Sequence, residues 1–139
     1  MKIAALALLL LAACGPQWED RDGWAMEGDL AAEPDGVDAV LAAAQVLTPC
    51  RIEPWGGWVE WSAEPVTCGP ESGKWGCFGY DGDLLEARVV VVGAPEFPDA
   101  AYGFLPHELG HYVNARCFGD YSEDAANHFA AEVRTLLLH

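Results

Sequence analysis

The sequence predicts an α+β fold: an N-terminal helix, a small mainly antiparallel sheet, then two helices at the C-terminal end. Three patterns carry this expectation. Residues 36–47 (GVDAVLAAAQVL) place Val37, Val40, Leu41 and Ala44 on one stripe with helical period, and Thr48-Pro49 stops it. Between 51 and 92 the punctuation changes to Gly, Pro and aromatics, and WVEW (58–61), KWGCFGY (74–80) and LEARVVVV (85–92) read as about three strands. From 99 onward the helical pattern returns, with one helix through Arg116 that starts or kinks at Pro106 and another from 122 to about 138.

With 139 residues, 52% of them hydrophobic, the chain can bury one core and is too short for two ordinary domains. Seven Lys and Arg stand against 22 Asp and Glu, a formal charge of -15. That excludes a surface built to neutralise nucleic-acid phosphates and disfavours anionic partners generally. Fifteen Gly, nine Pro and six Trp fit a turn-rich ordered protein better than an acidic disordered chain.

Lys2 precedes an unbroken apolar run over 3–13. Eleven residues at helical rise reach about 16 Å, half a bilayer core, so the run reads as a secretory signal and not as a membrane span. Its last residues, Leu11, Ala12, Ala13, Cys14 and Gly15, resemble the cleavage box of bacterial lipoproteins. The resemblance implies a lipid on Cys14, membrane attachment through it and a place in the bacterial cell envelope. Residues 15–35 carry seven carboxylates against one Arg without helical or strand period, and residues 14–35 are expected to be an acidic tether to a domain at 36–139. Within that tether Trp18, Trp24 and Met26 are either ordinary linker residues or groups that dock on the domain or the membrane.

Export bears on the cysteines. Besides Cys14 the chain has Cys50, Cys68, Cys77 and Cys117, an even number for an oxidising compartment. Of the three pairings, Cys68 with Cys77 is the natural local one because these flank a Gly/Pro-rich turn, which leaves Cys50 with Cys117. A Cys-only zinc site is weak, since no C-x-x-C occurs. The segment GPESGK (69–74) has three residues between its glycines where a phosphate loop has four, and Trp75 stands where Ser or Thr must ligate magnesium, so it reads as a hairpin turn.

The chemistry lies in FLPHELGHYV. His107-Glu108-Leu109-Gly110-His111 is an H-E-x-x-H arrangement, and two His four apart on a helix can reach one metal, zinc above others. Glu108 then projects beside the metal as a general base for bound water, whose pKa zinc lowers from about 15.7 toward 7. Leu109 and Val113 are expected to face the core, and Gly110 to admit a closely packed neighbour.

A catalytic zinc needs a third protein ligand and one open position. Asn114 and Cys117 occupy the places where an H-E-x-x-H-x-x-G-x-x-H pattern has Gly and His, so the third ligand comes from elsewhere, and the next helix opens SEDAANHFAAE. Glu123 is the expected ligand; its competing role is a capping box with Asp120. Asp124 and His128 share another face and are weaker ligand candidates. Asn127, one turn after Glu123, is either a surface residue or a partner for the free N–H of a ligand His. For stabilising an oxyanion the candidates are His128, Tyr112 and Tyr121. His139, at the chain end, is expected to be inert.

These residues resemble the zincin metallopeptidases of gluzincin type, in which a helix after the H-E-x-x-H helix supplies a Glu. More narrowly, Glu123-Asp124-Ala125-Ala126-Asn127-His128-Phe129-Ala130-Ala131 looks like the E-x-x-A-N-x-F-A-A helix of ImmA/IrrE-like peptidases. The resemblance covers about 30 residues and implies a minimal zincin-like domain with zinc ligands His107, His111 and Glu123 and general base Glu108. The chain departs from that family in its lipoprotein signal, its cysteines, its short interhelical spacing and its lack of a Leu-Leu-Met-Pro ending.

The expected function is zinc-dependent hydrolysis of peptide bonds by a monomeric, lipid-anchored, exported metallopeptidase acting on a peptide or protein. The alternative is a non-catalytic lipoprotein, a binding or scaffold module with a structural zinc; an amidase acting on cell-wall peptides is a third reading. The resemblance also leads us to expect strand 88–92 at a sheet edge beside the cleft, where a substrate backbone could pair with it, although four successive valines suit a central strand equally.

Overall fold

The computed structural model describes residues 20–80 and 87–139. The expected signal, the expected lipid site at Cys14, Trp18 and the first residues of the 85–92 run lie outside the described residues. Strands β1 (Asp20–Arg21) and β2 (Trp24–Gly28) form a hairpin. Its two turn residues, Asp22 and Gly23, both take the positive φ that a two-residue type I′ turn requires. A 3₁₀ turn at Leu30–Ala32 leads into α1 (Val37–Leu47), followed by β3 (Gly57–Ser62), β4 (Val66–Cys68), β5 (Glu71–Lys74), β6 (Gly76–Tyr80) and β7 (Ala87–Val92). Helices α2 (Leu105–Phe118) and α3 (Glu123–Leu138) complete the α+β fold.

The tether expected over 14–35 requires correction, because residues 20–35 belong to the domain. Trp24 and Met26 are fully buried, and Trp24 packs edge-on against Tyr112 at 4.9 Å and Trp55 at 6.2 Å. The acidic composition conceals a strand because the carboxylates point outward to partners. Glu27 pairs with Arg88, Glu33 pairs with Arg21, and Asp29 caps the 3₁₀ turn through the N–H of Ala31.

Five strands form one sheet in the order β1-β2-β3-β7-β6, and β4 with β5 makes a separate hairpin. The sheet is mixed and not mainly antiparallel: β2–β3 and β3–β7 run parallel, while β1–β2 and β6–β7 run antiparallel. Parallel neighbours need crossover connections. Helix α1 supplies the first, and the β4–β6 segment lies within the second. The edge-strand expectation for 88–92 is also corrected: β7 is hydrogen-bonded on both sides, and β6 takes the edge. The run of valines follows from this position, since Val89, Val91 and Val92 are all buried.

Trp24, Met26, Val59, Trp61, Val89 and Val91 from the sheet meet Val40, Leu41, Leu105, Leu109, Tyr112, Phe129 and Val133 from the three helices in one core. The outer face of the sheet is polar, with Arg88 of β7 reaching Glu60 of β3 and Glu27 of β2 and lying over the Trp58 ring. Two disulfides are present, with the expected pairing. Cys50–Cys117 ties the end of α1 to the last turn of α2, and Cys68–Cys77 ties β4 to β6. They are compatible with an exported, non-cytoplasmic protein. Among the described residues, no helix is long and apolar enough to cross a membrane.

Candidate metal centre

Helix α2 begins with Pro106 in its first turn, where its missing N–H costs nothing. Leu105, Leu109, Tyr112 and Val113 turn into the core, which leaves His107 and His111 one above the other with ring centroids 4.7 Å apart. Gly119, with φ +62°, ends the helix, and Ser122 caps α3 by accepting from the N–H of Ala125. Asp120 accepts from the N–H of Ser122, which holds its carboxyl below the ordinary range. The capping-box alternative for Glu123 is therefore not what the helix uses. Ser122 does that work, and Glu123 turns toward the histidines.

The two helices meet where Gly110 faces Ala126. A Cβ at Gly110 would lie 2.8 Å from the Ala126 carbonyl oxygen and 2.9 Å from its Cα, so only glycine permits this approach. Asn114 spans the same contact, its side-chain amide donating to Gly110 O at 2.8 Å and Ala125 O at 3.3 Å. The close crossing brings Glu123 Oε2 to 3.0 Å from His107 Nε2 and Glu123 Oε1 to 3.1 Å from His111 Nε2. Ligand atoms of all three residues lie within 4.8 Å of one another.

Asn127 Oδ1 lies 2.9 Å from His107 Nδ1. An amide oxygen only accepts, so Nδ1 is the donor to it, which leaves Nε2 as the ring atom directed at Glu123. Burial holds the His111 imidazole below its ordinary pKa despite the nearby Glu123 charge, which favours its neutral, ligating form. The Nε2 atom of each imidazole thus lies about 3 Å from a carboxylate oxygen. Such an arrangement calls for positive charge among them. Two imidazoles and a carboxylate are an ordinary zinc donor set, and bonds near 2.0–2.1 Å to a tetrahedral ion separate donors by about 3.3 Å. In donor type and in the two His–Glu separations the residues fit the ion.

Glu108 is not part of this triad. Its side chain is 4% exposed and folds against Gly76, the first residue of the edge strand β6, where a Cβ would come within 2.5 Å of Oε1. Burial, and secondarily the Glu123 charge, push its carboxyl up to about 8. A cleft of about 610 Å³ opens over these groups, walled by Trp75, Gly76 and Phe78 on one side and Phe104 and Tyr121 on the other. Phe78 stacks on His111 with a 12° angle between planes, and Phe104 meets His107 edge-on.

Of the oxyanion candidates only Tyr121 lines this cleft. Tyr112 is fully buried on the opposite side of α2, its hydroxyl accepting from the N–H of Gly56 at 2.9 Å, and is thereby removed as a candidate. His128 points to solvent beside Glu132, 3.7 Å away, and is also removed. Asp124 and His139 are exposed and lie outside the metal-ligating group. Sequence reasoning missed Gly76, Phe78 and Phe104, although two glycines bracketing Cys77 and Phe78 in a strand signal a close approach.

No family model, curated protein or solved structure matches the chain.

Proposed function

We propose that the protein is a zinc-dependent peptidase. The observation that carries this reading is Glu108: a buried carboxyl beside the His107, His111 and Glu123 triad, outside it, and at the wall of an open cleft. A site that only cross-links two helices has no use for such a group. His107, His111 and Glu123 would hold zinc, which when bound supplies Lewis acidity to a water and to a peptide carbonyl. Glu108 accepts the proton of the attacking water and returns it to the departing amine nitrogen. Asn127 holds His107 in the required tautomer, Tyr121 offers its hydroxyl to the developing oxyanion, and Phe78 and Phe104 limit water around the imidazoles.

The substrate is a peptide or protein outside the cytoplasm, reached by a monomer anchored through a lipid on Cys14. Mass spectrometry of the membrane fraction tests the anchor, and an unmodified Cys14 would remove it. The deciding experiment for activity is hydrolysis of peptide libraries and cell-wall peptides by the zinc-loaded protein beside Glu108→Gln. Cleavage lost in Glu108→Gln at equal zinc content is expected. Zinc binding without cleavage of any substrate would leave a structural module.

A further inference from the structure

A second cavity of about 360 Å³ lies on the other side of His107 and Glu123. Its far end is formed by Tyr102, Ala130 and Arg134, and it shares Phe104, His107 and Glu123 with the main cleft. Glu123, Asn127, Ala130 and Arg134 follow one another at helical spacing, so one face of α3 runs from the triad to Arg134.

Arg134 is unusual in this acidic chain. Arg21, Arg51, Lys74 and Arg88 each pair with a carboxylate. Among the described residues none pairs with Arg116 or Arg134. Arg116 sits in the last turn of α2 and donates to Glu53 O, a position that suits a cation at a helix C-terminus. Arg134 is half-buried, and its Nε and Nη2 donate to Ala101 O at 2.8 Å and Gly103 O at 3.0 Å. Those bonds occupy one edge of the guanidinium and fix its plane. Arginine has five N–H donors in a rigid fork, so the Nη1/Nη2 end retains a pair suited to bidentate binding of a carboxylate. The Asn127 amide nitrogen and the Tyr102 hydroxyl add donors to the same lining, whose one carboxylate, Glu123, is turned to the histidines.

We propose that this cavity is an anion subsite in which Arg134 receives a carboxylate carried by the substrate peptide, from its C-terminus or from an Asp or Glu side chain. The peptide itself rests on the peptidase reading; the anion chemistry does not. Eleven helical steps of α3 lead from Glu123 to Arg134, about 16 Å along the axis, which an extended chain covers in about four or five residues. The formal charge of -15 opposes anions at long range, but that repulsion is screened beyond about 8 Å at physiological salt. A carboxylate delivered by a bound peptide meets Arg134 locally.

The test uses the full chain without added metal and three N-acetylated hexapeptide libraries built on otherwise uncharged residues: C-terminal acids, C-terminal amides, and amides containing one Glu. Binding is followed by isothermal titration calorimetry in every variant, and in the wild type the Arg134 Nε–H resonance reports whether the guanidinium is contacted. We expect the acid or the Glu library to bind at least about tenfold tighter than the plain amides, the winner identifying the source of the carboxylate. Arg134→Gln erases that preference. Because Arg134 also anchors the 101–103 turn, the exposed Tyr102 gives an independent arm: Tyr102→Lys should strengthen carboxylate binding and Tyr102→Glu abolish the preference. Equal binding of acids, Glu peptides and amides, or a preference indifferent to the charge at 102, overturns the subsite. Carboxylate selection without hydrolysis in the zinc-loaded protein would retain the subsite and remove the peptidase; hydrolysis blind to carboxylates would do the reverse.

Discussion

The carboxylate of Glu108 rests on the α-carbon of Gly76, so closely that a methyl group there would lie 2.5 Å from Oε1 and 3.0 Å from Cγ. The edge strand thereby sets where the proposed base points. Gly76→Ala should displace the Glu108 carboxylate while sparing the fold, because the clash is with the free end of a side chain. Hydrolysis should drop at least about tenfold with a melting temperature within a few degrees of wild type. An unchanged rate would show that Glu108 is not held by this contact.

A second expectation concerns pH. The folded-state value of about 8 for Glu108 lies above its ordinary 4.5, so without metal the native state binds more protons than the unfolded state between those values. This contribution is fully present below about pH 4.5, declines as pH rises and is gone above about 8, a loss of about 3–5 kcal/mol. Denaturant melts of the metal-free protein should show that slope, and Glu108→Gln should flatten it. Added zinc should flatten it as well, since a nearby cation favours the carboxylate. A slope unchanged in Glu108→Gln would assign the dependence to another group.

Zinc should raise the melting temperature of the wild type by binding the native state. His111→Ala and Glu123→Ala should abolish that rise, whereas Glu108→Gln should keep it. Asn127→Ala should weaken affinity by about 10–100-fold, because His107 loses the acceptor that fixes its tautomer. Calorimetric titration measures each. Full zinc affinity in Glu123→Ala would remove it from the ligand set.

Gly110→Ala should act on architecture. Its methyl group would meet the Ala126 backbone, which cannot move like a side chain, so α2 and α3 must separate. We expect about 1–3 kcal/mol of destabilisation together with weakened zinc binding, as Glu123 withdraws from the histidines. Loss of stability with wild-type affinity would mean that the site tolerates a wider crossing.

The disulfides should differ in effect. Cys50–Cys117 joins residues 67 apart and Cys68–Cys77 residues 9 apart. Loop-closure entropy then assigns about 4 and about 2.5 kcal/mol to them. Replacing each pair by serine, with melts and peptide hydrolysis as readouts, should show the larger stability loss for the first. The second should lose proportionally more activity, because Cys68 and Cys77 line the cleft.

The helices were legible in the sequence because their information is local. The stripe of Val37, Val40 and Leu41 and the four-residue spacing of His107 and His111 each sit on one element, and Ser122 through Asn127 lie within two turns of Glu123. The sheet was less legible. Parallel pairing of β2 with β3 and of β3 with β7 joins segments about 30 residues apart, and nothing within a strand names its neighbour. The first hairpin has a strong local turn signal, Asp22-Gly23, but the carboxylates around it have the composition of a solvated linker and mask it. At Gly76 the strand glycine signals a close approach but not the Glu108 carboxylate it meets, and Arg134 was out of reach, since its role arises only when the 101–103 turn closes over the helix pair.

The place of β1 and β2 in the sheet also sets a leash. The first described residue, Asp20, already lies in the sheet, and five residues stand between it and Cys14. Whatever their conformation, the six steps from Cys14 to Asp20 span at most about 20–22 Å. A folded unit of this size has a radius of gyration near 14 Å, about two-thirds of that reach. With a lipid at Cys14, the mouth of the proposed active-site cleft would patrol a shell hardly thicker than the protein itself. Its targets would then be chosen by their height above the bilayer as much as by their sequence.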